Sequence, residues 1–261
     1  MHLVFAAHAP KASVAATCRR MMTIAGNEGF TCSLFDGEET LKDPDHSVMI
    51  AVGGDGNFIR TAHAACRLQV PLFGVNCGRV GFLTEWTEDR FPEALSLLRT
   101  QSYAIEERAM LSVSVNGEPA RSCFNDLLVY KSSFSGVTEL TLEINGQQMG
   151  NLFGDGIVVA TSIGSTGYSL SAGGPILADG LDALVVTPIC AHTLHFRPTV
   201  CSLDSTVAIR MEGKGYLAAD GDRFAMVSRG DRITVTRSAS VVKLMTFQKR
   251  NLFRLISEKL I

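Results

Sequence analysis

The sequence has no apolar run approaching the roughly 20 residues that cross a bilayer, so no membrane-spanning helix and no membrane partner are expected. It also lacks bunched cations. Its 24 Lys and Arg are scattered against 26 Asp and Glu, a net charge of −2, which argues against a nucleic-acid footprint. An anionic substrate must then be held by local dipoles and a few placed cations. The cysteines, at positions 18, 32, 66, 77, 123, 190 and 201, are odd in number and form no Cys-x-x-Cys pair. Neither a zinc ribbon nor a disulfide framework is indicated. The apolar start, residues 2–7, has no basic leader and reads as a buried strand, and the expected location is the cytoplasm.

Familiar motifs are missing too. No Gly-x-Gly-x-x-Gly follows the first strand pattern, no Gly-x4-Gly-Lys-Ser/Thr occurs, and there is no Gly-x-Ser-x-Gly elbow. Gly213-Lys214-Gly215 reads as a hairpin tip. His192 and His195 form a His-x-x-His pair without carboxylates nearby, which suits packing or hydrogen bonding better than zinc; no metal cage of protein residues is expected.

What is present is a chain of 261 residues, 46% hydrophobic and 19% charged, long enough to bury a sizeable core. The first hundred residues alternate strand-like and helix-like patterns: strands at 3–7, 30–35, 47–52 and 71–75, and helices at 11–27, 57–67 and from Pro92. This predicts a Rossmann-like α/β domain with a parallel sheet covered on both faces, over residues 1–102. Residues 111–115 and 140–144 alternate with period two and run into Asn116-Gly117 and Asn145-Gly146, which are hairpin signals. Short β-rich stretches follow at 207–210, 216–219, 233–237 and 241–247, so residues 103–250 are expected to form a β-rich domain. A closing helix within 251–261 is expected to pack back on the first domain.

Four segments carry chemistry. Gly53-Gly54-Asp55-Gly56 follows a buried strand, which places a carboxylate on a tight turn at the strand's carboxyl end, where open α/β sheets bind ligands. Its glycines and the following helix N-terminus suit a phosphate, and Arg60 lies one turn into that helix. Residues 76–85 form a second glycine loop after a strand. The third segment is Phe124-Asn125-Asp126, an amide and a carboxylate set among apolar residues. The fourth runs from Gly154-Asp155-Gly156 through a buried strand into a loop with hydroxyls at Thr161, Ser162, Ser165, Thr166, Tyr168, Ser169 and Ser171. Such a loop can offer many neutral donors and acceptors to a sugar and a base edge. Taken alone, each of the first three is also what a plain turn or strand start looks like.

In their order and spacing the four segments resemble the NAD kinase family, over residues 48–222; the stretch from Gly164 to Gly174 is the specific part. Gly-Gly-Asp-Gly alone is shared with phosphofructokinases and diacylglycerol-type lipid kinases. The resemblance implies transfer of the terminal phosphoryl group of ATP, or of polyphosphate, to the 2′-hydroxyl of the adenosine ribose of NAD. It implies Mg²⁺ entering with the donor and a homodimer or homotetramer. By motif position Asp55 would accept the proton and contact NAD, with Gly56 beside it and Arg60 near the phosphates. Phe82, Asn125, Asp126, Asp155 and the stretch Thr166, Gly167, Tyr168, Ser169, Leu170 and Ser171 would complete the NAD site. Ser162 and Ile163 stand where the family often has Pro and Thr, Gly167 where Ala is usual, and Asp222 where Gln is common. Two other readings are a non-catalytic NAD(P)-sensing module, which the intact Asp55 counts against, and a lipid kinase, for which no amphipathic segment is found.

Overall fold

The computed structural model describes residues 1–8, 12–37, 41, 43–78, 81–178, 180–192, 195–248 and 255–257. The chain divides into two compact units, residues 1–108 with 241–261, and residues 109–240. Among the described residues no helix is long and apolar enough to cross a membrane.

The first unit alternates as its periodicity predicts, with the short β5 as an unforeseen addition: β1 (His2–Ala6), α1 (Ala12–Asn27), β2 (Thr31–Leu34), β3 (Ser47–Val52), α2 (Asp55–Leu68), β4 (Leu72–Asn76), β5 (Trp86–Thr87) and α3 (Phe91–Arg99). The strands are parallel in the order β2-β1-β3-β4, with β5 beside β4 and Leu244 of the last strand pairing with Leu72. The central strands β3 and β4 are buried on both faces, whereas the edge strand β2 is partly exposed. Val48, Ile50 and Val52 of β3 pack in one cluster with Cys18, Met21 and Ala25 of α1 and with Phe91, Ala94, Leu95 and Leu98 of α3. Phe58, Ala62 and Ala65 of α2 are buried as well, on that helix's apolar stripe. Phe247 closes one end, its ring edge-on to Phe73 and Trp86 at 5.1 Å and to Tyr103 at 6.4 Å.

The described residues of the second unit are β-rich, with a short 3-10 turn at 164–166 and one turn of α-helix: β6 (Ala104–Val115), β7 (Glu118–Cys123), β8 (Asp126–Lys131), β9 (Thr138–Ile144), β10 (Gln147–Gly154), β11 (Gly156–Thr161), α4 (Tyr168–Ser171), β12 (Ala183–Ile189), β13 (Thr199–Ser202), β14 (Val207–Met211), β15 (Gly215–Ala219), β16 (Asp222–Val227) and β17 (Arg232–Thr246). A six-stranded antiparallel sheet has the order β13-β12-β11-β8-β15-β16. Its inner face, with Leu127, Val129, Ile157, Val159 and Leu217, shares one core with Leu140 and Leu142 of β9, Val207 and Ile209 of β14, and Ile233 and Val235 of β17. Val158 and Ala160, which alternate with Ile157 and Val159 along β11, join a second cluster with Leu177 and Val185. Both Asn-Gly turns form as expected, with positive φ at Asn116, Gly117, Asn145 and Gly146.

Several expectations change. Residues 233–237 and 241–247 are not two strands but parts of the 15-residue β17. Gly213-Lys214-Gly215 is not a hairpin tip: β14 and β15 lie in different sheets, and the chain crosses between them there. The helix expected from residue 57 begins at Asp55, because Gly54 is extended and Asp55 already has helical partners. The closing helix falls mostly outside the described residues, of which 255–257 are helical.

The strand order reverses between β1 and β3, and the carboxyl ends of those two strands flank the switch point where ligands of open α/β sheets bind. Asn57 fastens that point: its amide donates to Ala6 O at 3.0 Å and Val52 O at 3.1 Å, and its oxygen accepts from His8 N–H at 2.7 Å. Asn57→Ala should therefore lower stability by about 1–3 kcal/mol, since three backbone groups lose their partner at once. Urea unfolding checks this; an unchanged midpoint would mean that water replaces the amide at no cost.

Candidate active site

In the first unit the Gly-Gly-Asp-Gly turn and the second glycine loop meet. Asp55 is the first residue of α2, where a carboxylate complements the helix dipole. Its Oδ2 accepts from Phe82 N–H at 2.8 Å, and its Oδ1 accepts from Leu83 N–H at 3.0 Å and from the Thr84 hydroxyl at 3.4 Å. Thr84 is fully buried and is itself held: Asn76 Nδ2 donates to its Oγ1 at 2.8 Å and Gly81 N–H at 3.3 Å. Two donors therefore fill the Thr84 oxygen, and its single proton is left for Asp55. Gly81 has no alternative here, because a Cβ at that position would stand 1.8 Å from Asp55 Oδ1.

Gly56 is exposed beside Asp55, and Phe82 is half-buried. Arg60 is exposed on α2, five residues from Asp55, so the two side chains leave the helix about 140° apart. Its charge is felt by His8, whose imidazole is held below the usual range first by burial and then by Arg60 and Arg67. His8 Nε2 is buried without a partner in the protein, although its position at the carboxyl end of β1 was not singled out from the sequence.

The second unit assembles the other predicted residues. Asn125 and Asp126 stand where β8 begins, and the fourth segment comes up against them. Thr161 N–H donates to Asn125 O at 2.9 Å, and Gly164 lies so close that a Cβ there would be 2.0 Å from the same oxygen. A methyl at Gly167 would stand 3.2 Å from Gly164 O and 3.4 Å from Asp126 Oδ2, so the glycine eases a tight spot. The loop is also more helical than expected: residues 164–166 form a 3-10 turn and Tyr168–Ser171 one turn of α-helix.

The hydroxyls divide by burial. Thr161, Ser165 and Ser169 are buried and satisfied internally: Thr161 Oγ1 donates to Phe124 O at 2.9 Å, Ser165 Oγ donates to Ser162 O at 2.6 Å and accepts from Leu177 N–H at 3.0 Å, and Ser169 Oγ shares a proton with Thr187 Oγ1 at 2.8 Å. Thr166 Oγ1 donates to Ile163 O at 3.1 Å. Tyr168 and Ser171 are exposed, and Leu170 is half-buried. Most of these hydroxyls thus brace the loop, and the outward-facing ones are few.

Two charged pairs were not foreseen. Lys131, buried on β8, reaches the Asp155 carboxylate at 2.6 Å, and this bond, aided by the Cys190 thiol, holds Asp155 below the usual carboxylate range. Asp220, at the β15–β16 turn, lies beside Asp126. Burial first, and then the Asp220 charge, push the Asp126 carboxyl up to about 7, against the pull of the Tyr168 backbone N–H. No sequence signal separated Lys131 or Asp220 from ordinary strand and turn residues.

Residues 11–103 match the ATP-NAD kinase N-terminal domain, and residues 124–247 match the ATP-NAD kinase C-terminal domain. An NAD kinase of Nitrosomonas europaea is 38% identical over 231 residues, covering 85% of this chain and 77% of the relative. One of Aquifex aeolicus is 34% identical over 229 residues, covering 85% and 84%. Among solved structures, an NAD kinase from Archaeoglobus fulgidus in complex with ATP superposes with a TM-score of 0.78 at 26% identity, over 99% of this chain and 97% of that one. Yeast NADH kinase complexed with NADH gives 0.85 at 19% identity, over 100% of this chain and 87% of that one, a likeness of fold.

The Asp126 environment makes a prediction of its own. Its folded value of about 7 exceeds the ordinary 3.8, so between those values the folded chain holds a proton that the unfolded chain has released. This contribution to stability is complete at low pH and is lost as pH rises through about 7. Asp126→Asn carries no such loss. Relative to wild type it should gain about 1 kcal/mol of stability per pH unit between about pH 5 and 7, read from urea unfolding. A difference that stays flat with pH would place Asp126 in the ordinary carboxylate range.

Proposed function

The chain belongs to the NAD kinase family, and from that premise we propose how its residues divide the work of the reaction. The enzyme transfers the terminal phosphoryl group of ATP to the 2′-hydroxyl of the adenosine ribose of NAD, giving NADP. The observation that carries this reading is an intact Asp55 carboxylate, fixed at the switch point of the first unit, in a chain whose halves match both domains of the family.

In this proposal the 2′-oxygen forms a bond to the terminal phosphorus while the bond from phosphorus to the bridging oxygen breaks, and ADP leaves. The hydroxyl proton passes to Asp55. A carboxylate is a weak base for an alcohol. In a loose phosphoryl-transfer transition state, however, the proton leaves late, and orientation counts for more than basicity. The Phe82 and Leu83 N–H groups set that orientation by gripping both carboxylate oxygens. Gly56 leaves the approach to Asp55 clear, and Arg60 supplies a cation for phosphate. Asn125, Asp126, Asp155 and the stretch from Thr166 to Ser171 recognise the dinucleotide, with exposed Tyr168 offering a flat face.

Mg²⁺ belongs to the same proposal. Asp55 Oδ2 accepts only from Phe82 N–H and keeps a second lone pair, which would suit one carboxylate contact to an ion whose other ligands are phosphate oxygens and water. When bound, the ion neutralises charge on the donor phosphates. Polyphosphate as an alternative donor and a homodimer or homotetramer complete the reading on the strength of the family resemblance, and a cytoplasmic location on the cysteine usage and the apolar start.

The test is NADP formation by purified protein with NAD, Mg²⁺ and either ATP or polyphosphate. Asp55→Asn should lower kcat by about 10²- to 10⁴-fold while NAD still binds. Because the substituted amide turns an NH₂ toward the loop N–H groups, NAD affinity is measured alongside, to separate lost proton transfer from a displaced loop. Unchanged turnover in Asp55→Asn would rule out its role, and no NADP from wild type with either donor would overturn the reaction.

A further inference from the structure

The backbone of Phe124, Asn125 and Asp126 is gripped from two sides. On one side the Asp220 carboxylate accepts three consecutive N–H groups: Phe124 at 2.8 Å on Oδ2, and Asn125 at 2.6 Å and Asp126 at 3.1 Å on Oδ1. Asp220 N–H returns a bond to Asp126 O at 3.0 Å. On the other side Thr161 takes the carbonyls of Phe124 and Asn125, and Gly164 packs against Asn125 O. Two side-chain groups of the segment take no part in this backbone bracing. Asn125 Oδ1 is buried with no partner in the protein, and the Asp126 carboxyl is buried beside it in sequence. A buried acceptor without a partner is costly, and a ligand donor is one way for it to be completed.

The turn by itself does not call for an aspartate. Asp220 and Gly221 both have positive φ, 52° and 86°, a conformation that Asn or Gly adopts at least as readily. An Asn side chain has one oxygen, whereas three N–H donors here are spread over two. The carboxylate also carries a cost, since its charge opposes ionisation of the buried Asp126. We infer that Asp220 is a positioning residue for the dinucleotide, holding the 124–126 backbone so that Asn125 Oδ1 and the Asp126 carboxyl are presented to NAD. This rests on the NAD kinase reading and assigns Asp220 no contact with substrate.

The experiment compares wild type, Asp220→Asn, Asp220→Ala and Asp126→Asn as full chains, with kcat, KM for NAD, KM for ATP and Tm measured for each. The groups facing Asp126 are Asp220 from the β15–β16 turn, the Tyr168 N–H from α4, and the Cys123 thiol from the end of β7. Both Asp220 variants should raise KM for NAD by about 10-fold or more, with KM for ATP held within about twofold. In wild type, KM for NAD should break near pH 7; the break should vanish in Asp126→Asn and move to lower pH in Asp220→Asn, where the opposing charge is gone. The break reports the Asp220 charge beside Asp126, and the split between the two KM values reports its hold on the 124–126 backbone. The inference is overturned if the break is missing in wild type or stays in place in Asp220→Asn, or if both KM values rise together as Tm falls. If Asp220→Ala does not fold, Asp220→Asn alone decides. If wild type forms no NADP, calorimetric NAD affinities of wild type and Asp220→Asn decide instead, and equal affinities would overturn the inference apart from the reaction.

Discussion

A carboxylate that accepts neighbouring backbone N–H groups is the interaction on which both candidate loops depend. Asp55 holds Phe82 and Leu83 in the first unit, and Asp220 holds Phe124, Asn125 and Asp126 in the second. A loop has no ladder or helical turn to satisfy its N–H groups, yet those groups must be paired when taken from water. Charge-assisted bonds are roughly twice as strong as neutral ones, and a carboxylate has two oxygens to distribute. One side chain can then fix two or three residues of irregular backbone. The two anchors differ in their use. Asp55 is half-buried and keeps a lone pair on Oδ2 for chemistry, whereas Asp220 holds the backbone of residues 124–126.

The rest of each site follows from this anchoring. With Phe82 and Leu83 pinned, Gly81 must pass Asp55 without a side chain, and Thr84 must turn inward to meet Asn76. With residues 124–126 pinned, Thr161 and Gly164 can close on them from β11 and the turn beyond it. Buried Ser165 and Ser169 then hold the glycine-rich turn in shape, so that Tyr168 and Ser171 can stand outward. Polar side chains inside a core are tolerated because each finds a partner, and such networks make one conformation much better than its neighbours.

Much of the architecture was legible in the sequence because it depends on periodicity. The α/β alternation of the first hundred residues, the Asn116-Gly117 and Asn145-Gly146 hairpins and the buried strand before Thr161 all follow local rules. The Asp55 and Asn125-Asp126 motifs could be picked out as unusual side chains at strand ends. Long-range features were less visible. Residues 233–247 read as two short strands since Arg237 to Ser240 is polar, but strand pairing at a distance carries β17 through them. The hydroxyls of the fourth segment looked alike in sequence and were separated only by which ones point inward.

The sequence by itself determined the family, the main strands and helices of the first hundred residues, and the presence of an acidic residue after β3. These are set by short-range pattern and residue type, which a linear reading can see. Tertiary structure alone decided that Asp55 grips a loop 27 residues away, that Asp220 reaches back 94 to 96 residues to the 124–126 backbone, and that Lys131 neutralises Asp155. Those pairings depend on where a sheet brings distant segments, and any of many acidic residues could have met any of many loops. Chain topology, through the switch point and the crossing from β14 to β15, selected the ones that did.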